Sequence, residues 1–166
     1  IKPEGTTSCL ANSSSGLHPR YSEFYFRRVR IDKKDPLYQL MKDQNILVED
    51  CVVNPASTAV LTFPQKAPVD TTTSLSLGAM EHLKLWMDYQ QYYCHHKPSI
   101  TVSYTEDEFL EVGNWVWKNF DKISGIAFLP KSDHTYAQAP FETIDARTYN
   151  MTPKIAVDFS QLMNYE

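Results

Sequence analysis

Apolar residues recur along the chain with two spacings. Between Tyr21 and Ile31 (YSEFYFRRVRI) they alternate with polar ones at the period of a strand. Tyr21, Phe24, Phe26 and Val29 do not share one parity, so both faces are expected to be partly covered. Ser57 to Phe63 (STAVLTF) is apolar and β-branched and reads as a buried strand ended by Pro64. Ser99 to Tyr104 (SITVSY) and Gly125 to Leu129 (GIAFL, closed by Pro130) add two more strands, the last one buried.

Helical spacing governs the segments between them. Asp35-Pro36 opens a short helix, with Asp35 as cap and Pro36 at the first helical position, where a missing N–H costs nothing. Leu37, Leu40 and Met41 then share one stripe. From about Leu75 to His95, Leu77, Met80, Leu83, Met87 and Cys94 follow the helical period and predict the longest helix. Thr105 and Glu108 form a capping box ahead of a helix expected to turn Phe109, Val112, Val116 and Phe120 inward. Strands alternating with helices predict an α/β fold with parallel pairing.

The two ends differ in character. Ile1 to Gly16 is an extended lead-in followed by a polar loop, and after Pro130 the chain turns polar and aromatic. Residues 131–166 are therefore expected to drape over the surface as a tail. At 166 residues and 19.1 kDa the chain has material for one domain. It opens on Ile1 and runs straight into ordered-looking sequence, as though cut.

Charge and composition narrow the function. Sixteen Lys and Arg against 20 Asp and Glu leave a formal charge of −4, which argues against binding a nucleic-acid backbone. The 5 glycines make no dinucleotide-binding or P-loop pattern. Cys9, Cys51 and Cys94 are odd in number and far apart, so reduced thiols in a cytoplasmic protein are expected. No apolar run is long enough for a membrane span, and no signal peptide is evident.

Several clusters could carry chemistry. In Lys2-Pro3-Glu4-Gly5-Thr6-Thr7-Ser8 a glycine joins an extended segment to a run of hydroxyls, so backbone N–H and side-chain O–H donors can converge on an anion; a simple turn is the alternative. Cys94-His95-His96 offers a nucleophile or ligands, but adjacent helical side chains point about 100° apart. A buried, inert cysteine is the simpler reading. Arg27, Arg28 and Arg30, with Arg20, Lys33 and Lys34, form a basic cluster that could hold phosphate, with pairing to the acids the simpler explanation. Trp115, Trp117 and Phe120 read as core. Asp133-His134 follows a strand end, where α/β proteins place ligands, and could act as an acid–base pair.

With these residues in view a family resemblance emerges. IKPEGTTS, SGLHPRYSEFYFRRVRI, KPSITVSY with TEDEFLEVGNWVWKNFDKISGIAFLP, and SDHTYAQAPFETI resemble, in family order, the C-terminal part of the adenosylcobalamin-dependent (class II) ribonucleotide reductases, closest to the monomeric ribonucleoside-triphosphate type. The resemblance spans nearly the whole chain. It implies the closing portion of a ten-stranded α/β barrel, with residues 1–166 a single partial domain. It assigns Pro3, Glu4, Gly5, Thr6, Thr7 and Ser8 to a loop that grips the substrate phosphates, in place of the simple turn. Leu17, His18 and Pro19 would line the substrate pocket.

The resemblance also implies what this chain lacks. The family's radical cysteine sits in an Asn-Pro-Cys-Gly-Glu context that does not occur here; Asn54-Pro55-Ala56 shares two letters only. None of Cys9, Cys51 or Cys94 matches a catalytic cysteine, so no catalytic residue is expected in this chain. It would be a fragment, or one chain of a split enzyme, inert alone and expected to self-associate or to behave as a loosely packed monomer. The whole enzyme would convert ribonucleotides to 2′-deoxyribonucleotides by cobalamin-initiated thiyl radical chemistry. Its implied partners are the ribonucleotide substrate, the N-terminal portion of the reductase and a thioredoxin-type reductant. Adenosylcobalamin would be bound mainly outside this chain. The competing readings are a free-standing nucleotide- or phosphate-binding module and a hydrolase using Cys94.

Overall fold

The computed structural model describes residues 1–2, 7–131 and 137–165. Pro3, Glu4, Gly5 and Thr6 lie outside the described residues, as do Asp133 and His134 and the side chain of Cys9. In chain order the elements are α1 (Thr7–Leu10), β1 (Phe24–Asp32), α2 (Pro36–Asp43), β2 (Leu47–Asp50), β3 (Thr58–Lys66), α3 (Ala79–Tyr92), β4 (Thr101–Tyr104), α4 (Phe109–Lys118), β5 (Ala127–Pro130), β6 (Phe141–Thr143) and α5 (Ala146–Met151). Short 3₁₀ turns follow α4 at Phe120–Lys122 and α5 at Phe159–Asn164. The class is mixed α/β. The residues divide into two compact units, Ile1–Tyr21 with Val69–Asp133, and Ser22–Pro68 with His134–Glu166.

The first unit contains the one parallel strand pair of the described residues. β4 and β5 run side by side, Val102 opposite Phe128, joined through α4. Ala79, Leu83 and Trp86 of α3 pack with Ile100, Val102 and Val112 in a core that Leu17, Met80 and Met87 border. Trp86 is fully buried, and its indole N–H donates to the Pro98 carbonyl at 2.9 Å, which removes the cost of sinking that polar group. The predicted helix is thus shorter, and its stripe turns about Leu83 and Trp86. Cys94 lies past the cap at Tyr93 and is only half-buried.

Two expectations fail here. Of the face predicted to turn inward on α4, only Val112 is buried, while Phe109 is 56% and Phe120 69% exposed. Trp117, expected in the core, is 82% exposed. Every residue of β5 is exposed as well, against the expectation of a buried strand. α4 sets one side against β4 and α3, and among the described residues its other large apolar side chains stay exposed.

The second unit is antiparallel, which corrects the expectation of parallel pairing. Its sheet has the order β2-β3-β1-β6. β1 and β3 pair along nine residues, Phe24 opposite Lys66 through Asp32 opposite Thr58. β3 runs through Pro64 instead of stopping there. β2 pairs β3 only as far as Thr62, so one flank of the strand is open at Pro64 and its missing N–H is tolerated. α2 follows its prediction closely: the Asp35 carboxylate accepts from Leu37 N–H at 2.9 Å, and Leu40 and Met41 are buried.

The expected tail is more structured than composition implies. β6 adds to the edge of the sheet, Phe26 opposite Glu142, and α5 starts on Asp145, whose carboxylate accepts from Thr148 N–H at 2.7 Å. That bond, together with one from the Thr148 hydroxyl side, holds the Asp145 carboxyl below its ordinary range. Three β1 arginines tie this stretch down: Arg28 and Arg30 donate to the carbonyls of Ala139 and Gln138, each at 3.2 Å, and Arg27 to Pro140 at 3.3 Å.

Candidate functional site

The predicted phosphate loop begins beyond Lys2, and its described end is Thr7 and Ser8. These open the single turn α1, where the Thr7 and Ser8 carbonyls accept from Ala11 and Ser13 N–H at 2.9 Å each. Thr7 is exposed and Ser8 buried. The lead-in is held from two sides. The Ile1 carbonyl accepts from Ser99 N–H at 2.9 Å, and Lys2 crosses Gly16. Gly16 sits at φ +60°, and a Cβ there would stand 3.2 Å from the Lys2 carbonyl oxygen. Glycine serves both needs at once, a left-handed backbone and a close crossing.

Beyond Gly16 the chain forms one wall of a groove of about 640 Å³ in the first unit. Leu17, His18 and Pro19 line it together, facing Glu81, Lys84 and Asp88 of α3. The His18 Nδ1–H donates to the Ser15 carbonyl at 2.8 Å, because a carbonyl can only accept. The other ring nitrogen, Nε2, lies 3.3 Å from the Thr101 hydroxyl, which can donate or accept. The exit is stapled too. Arg20 N–H donates to the Thr72 carbonyl at 3.1 Å, and its carbonyl accepts from Ser74 N–H at 2.7 Å.

Two residues that sequence reasoning missed or only half read support this wall. His82 is 3% exposed, and its Nε2 lies 2.8 Å from the Leu17 carbonyl. Burial pushes its pKa below the usual imidazole value against the upward pull of the bond to the Leu17 carbonyl, and the nearby His18 adds to the lowering. No spacing signalled it, since a lone histidine on a helix has no pattern. Glu108, read as a capping-box acid, accepts from Thr105 N–H at 2.8 Å and the Thr105 hydroxyl at 3.0 Å. It also reaches out of its own helix to accept from Ala79 N–H at 3.0 Å, capping α3. The backbone bonds to Thr105 and Ala79 hold its carboxyl below the ordinary range. Lys131 donates to the Leu77 carbonyl at 3.1 Å, where the groove meets the start of α3.

The other candidates do not converge on a reaction centre. His95 and His96 are exposed beyond α3, and among the described residues no three His, Cys, Asp or Glu side chains cluster as metal ligands. Arg28 pairs with Glu142 at 2.6 Å, so the basic cluster holds β6 in place. Cys51 is buried, and N–H groups of Asn54 and Val53, with Arg30 beside them, pull its thiol pKa down. A smaller cavity of about 310 Å³ in the second unit is lined by Ile46, Phe63, Pro64 and Ile155. Among the described residues no helix is long and apolar enough to cross a membrane.

A groove of about 640 Å³, within the range of about 300–1,000 Å³ that takes a small ligand, lies on a mixed α/β protein. No family model matches the chain. Its homologues are adenosylcobalamin-dependent ribonucleoside-triphosphate reductases. It is 32% identical to the "Probable adenosylcobalamin-dependent ribonucleoside-triphosphate reductase" of Dictyostelium discoideum over 99% of this chain and 22% of that protein. It is 30% identical to the adenosylcobalamin-dependent ribonucleoside-triphosphate reductase of Euglena gracilis over 90% of this chain and 21% of the relative. The enzyme of that name from Levilactobacillus brevis is 30% identical over 90% of this chain and 20% of its own length. A crystal structure of a B-12 dependent (class II) ribonucleotide reductase superposes with a TM-score of 0.79 at 25% identity, covering 90% of this chain and 21% of that one. The chain therefore spans about a fifth of the length of the relatives it matches.

The cofactor in those relatives' names can be tested against the cavities. A corrin with its nucleotide tail and adenosyl ligand is far bulkier than a nucleotide. Neither the 640 Å³ groove nor the 310 Å³ cavity holds it. Neither of these two cavities by itself makes a cobalamin site.

Proposed function

We propose that this chain is the closing barrel portion of a class II ribonucleotide reductase and supplies its grip on the substrate phosphates. The whole enzyme removes the ribose 2′-hydroxyl of a ribonucleotide. Adenosylcobalamin, held by other parts of that enzyme, provides the radical chemistry, and the reacting cysteines belong to those parts too. Glu4, Gly5, Thr6, Thr7 and Ser8 bind phosphate oxygens through backbone N–H and hydroxyl donors, and Pro3, which has no donor, fixes the entry to the loop. Leu17, His18 and Pro19 border the nucleotide. The chain alone is inert.

The observation that carries this reading is the crossing of Lys2 over Gly16. It brings the lead-in of the phosphate loop beside the Leu17–Pro19 wall of a nucleotide-sized groove. The loop's charge sets the chemistry. It has one cation, Lys2, and one carboxylate, Glu4, so attraction rests on oriented N–H and O–H donors. A charge-assisted hydrogen bond contributes about 1.5–3 kcal/mol.

The test is to combine the chain with an N-terminal reductase portion and assay deoxyribonucleotide formation. Changing Thr6 and Ser8 together to Ala should weaken substrate binding by on the order of 3 kcal/mol, roughly two powers of ten. An unchanged Michaelis constant and turnover number would reduce the loop to a turn. Nucleotide binding by the chain alone, with no turnover in any combination, would instead favour a free-standing binding module.

A further inference from the structure

His82 is a buried histidine in the first turns of α3 that no step of the proposed chemistry uses. Its ring does not face solvent or a metal cluster; it reaches across to the chain segment after Gly16. The acceptor 2.8 Å from Nε2 is the Leu17 carbonyl, so Nε2 must carry the proton and donate. Leu17 itself packs against the core that α3 and β4 share. The next residue, His18, is held by the Ser15 carbonyl on one ring nitrogen and the Thr101 hydroxyl on the other. Leu17 and His18 are thus fixed by α3 from one direction and by β4 from another, and both line the groove.

We infer that His82 is a positioning residue, whose Nε2–H bond to the Leu17 carbonyl sets the Leu17–Pro19 wall at the geometry that receives the nucleotide. The inference rests on the reading that this wall borders the substrate. The neutral, single-tautomer ring suits the task. Burial disfavours the charged form, so the ring stays neutral and presents one donor in a fixed direction. An apolar residue of similar size would fill the space but leave the Leu17 carbonyl without this donor. Loss of one such bond corresponds to about a tenfold change in an equilibrium constant.

Two variants separate positioning from packing. His82→Leu keeps bulk and removes the donor, and His82→Gln keeps an amide N–H able to reach the same carbonyl. In the chain itself, amide exchange of Leu17 and His18 should quicken about tenfold in His82→Leu and return to near wild type in His82→Gln, with α3 protection unchanged. In the reductase assembled with its N-terminal portion, His82→Leu should raise KM for the ribonucleotide about tenfold with kcat within about twofold, and Gln should restore it. If His82→Leu does not fold, His82→Asn, whose shorter amide cannot reach the carbonyl, takes its place. Equal exchange in all variants overturns the inference, as does a faster-exchanging wall with an unchanged KM in an active enzyme. A wild-type assembly that turns over no ribonucleotide, with the exchange contrast present, removes the reductase reading and leaves His82 as the anchor of the groove wall.

Discussion

Glu108 joins two helices through one carboxylate. It accepts from the backbone N–H and hydroxyl of Thr105 and from Ala79 N–H at the start of α3. These bonds favour the ionised form, so its folded pKa lies below the unfolded value of about 4.3. The stabilisation is therefore full above that unfolded value and is lost as the pH falls through the lower folded one. Glu108→Gln should lower stability at pH 7 by about 1 kcal/mol, kept small because water reaches part of the carboxylate. The gap between wild type and variant should close in acid. Urea midpoints at neutral pH and below the carboxylate range check both parts, and a gap that does not depend on pH would show that charge plays no role.

Between elements, the arginines of β1 replace the apolar packing that a central strand gets elsewhere. Arg28 is paired with Glu142 of β6 at 2.6 Å and donates to Ala139, while its N–H donates to the Pro140 carbonyl at 2.9 Å. The arginine side chain is 13% exposed but that of Glu142 is 41% exposed, so the guanidinium is largely desolvated while water reaches the carboxylate. Arg28→Met keeps the strand and the backbone bonds but leaves Glu142 uncompensated. It should cost about 1 kcal/mol, because water still reaches Glu142, and release β6. Limited proteolysis would then cut between residues 137 and 144 well before the rest of the chain. Cleavage no faster than in wild type would mean that β6 is held by its backbone ladder alone.

For the molecule as a whole, the telling feature is apolar surface on α4 and β5. Leu110 is 81%, Trp117 82%, Phe120 69% and Leu129 56% exposed. Large apolar side chains gathered on one helix and the neighbouring strand lower the solubility of a free chain and promote association. On its own the chain should self-associate at micromolar concentration, and Leu110→Lys with Trp117→Lys should return it toward a monomer in sedimentation velocity. A clean wild-type monomer with a sharp, cooperative melt would contradict this and favour an autonomous module. The same surface fits a chain that spans about a fifth of its relatives' length.

Local signals were legible in the sequence wherever neighbouring residues suffice to make a structure. The Asp35-Pro36 start of α2 and the cores of β1, β3 and β4 depend on a few consecutive side chains and their own backbone, whereas of the Thr105–Glu108 box only the carboxylate half forms, and α4 begins after Glu108 with no side-chain cap. The resemblance carried by the 1–8 and 16–31 segments pointed to the same relatives that alignment and superposition return. Tertiary structure decided the rest. The pairing of Arg27 with Phe141 joins residues more than a hundred positions apart, and no local pattern encodes which strand a polar stretch will join. Helical periodicity says that Phe109 and Phe120 belong to an apolar stripe, but burial needs a partner surface, and on α4 only Val112 is buried in the core, with Trp115 packed at its edge. His82 and Gly16 have the same lesson at finer scale. One owes its role to a carbonyl 65 residues away and the other to a chain crossing at Lys2, and both are properties of proximity in space.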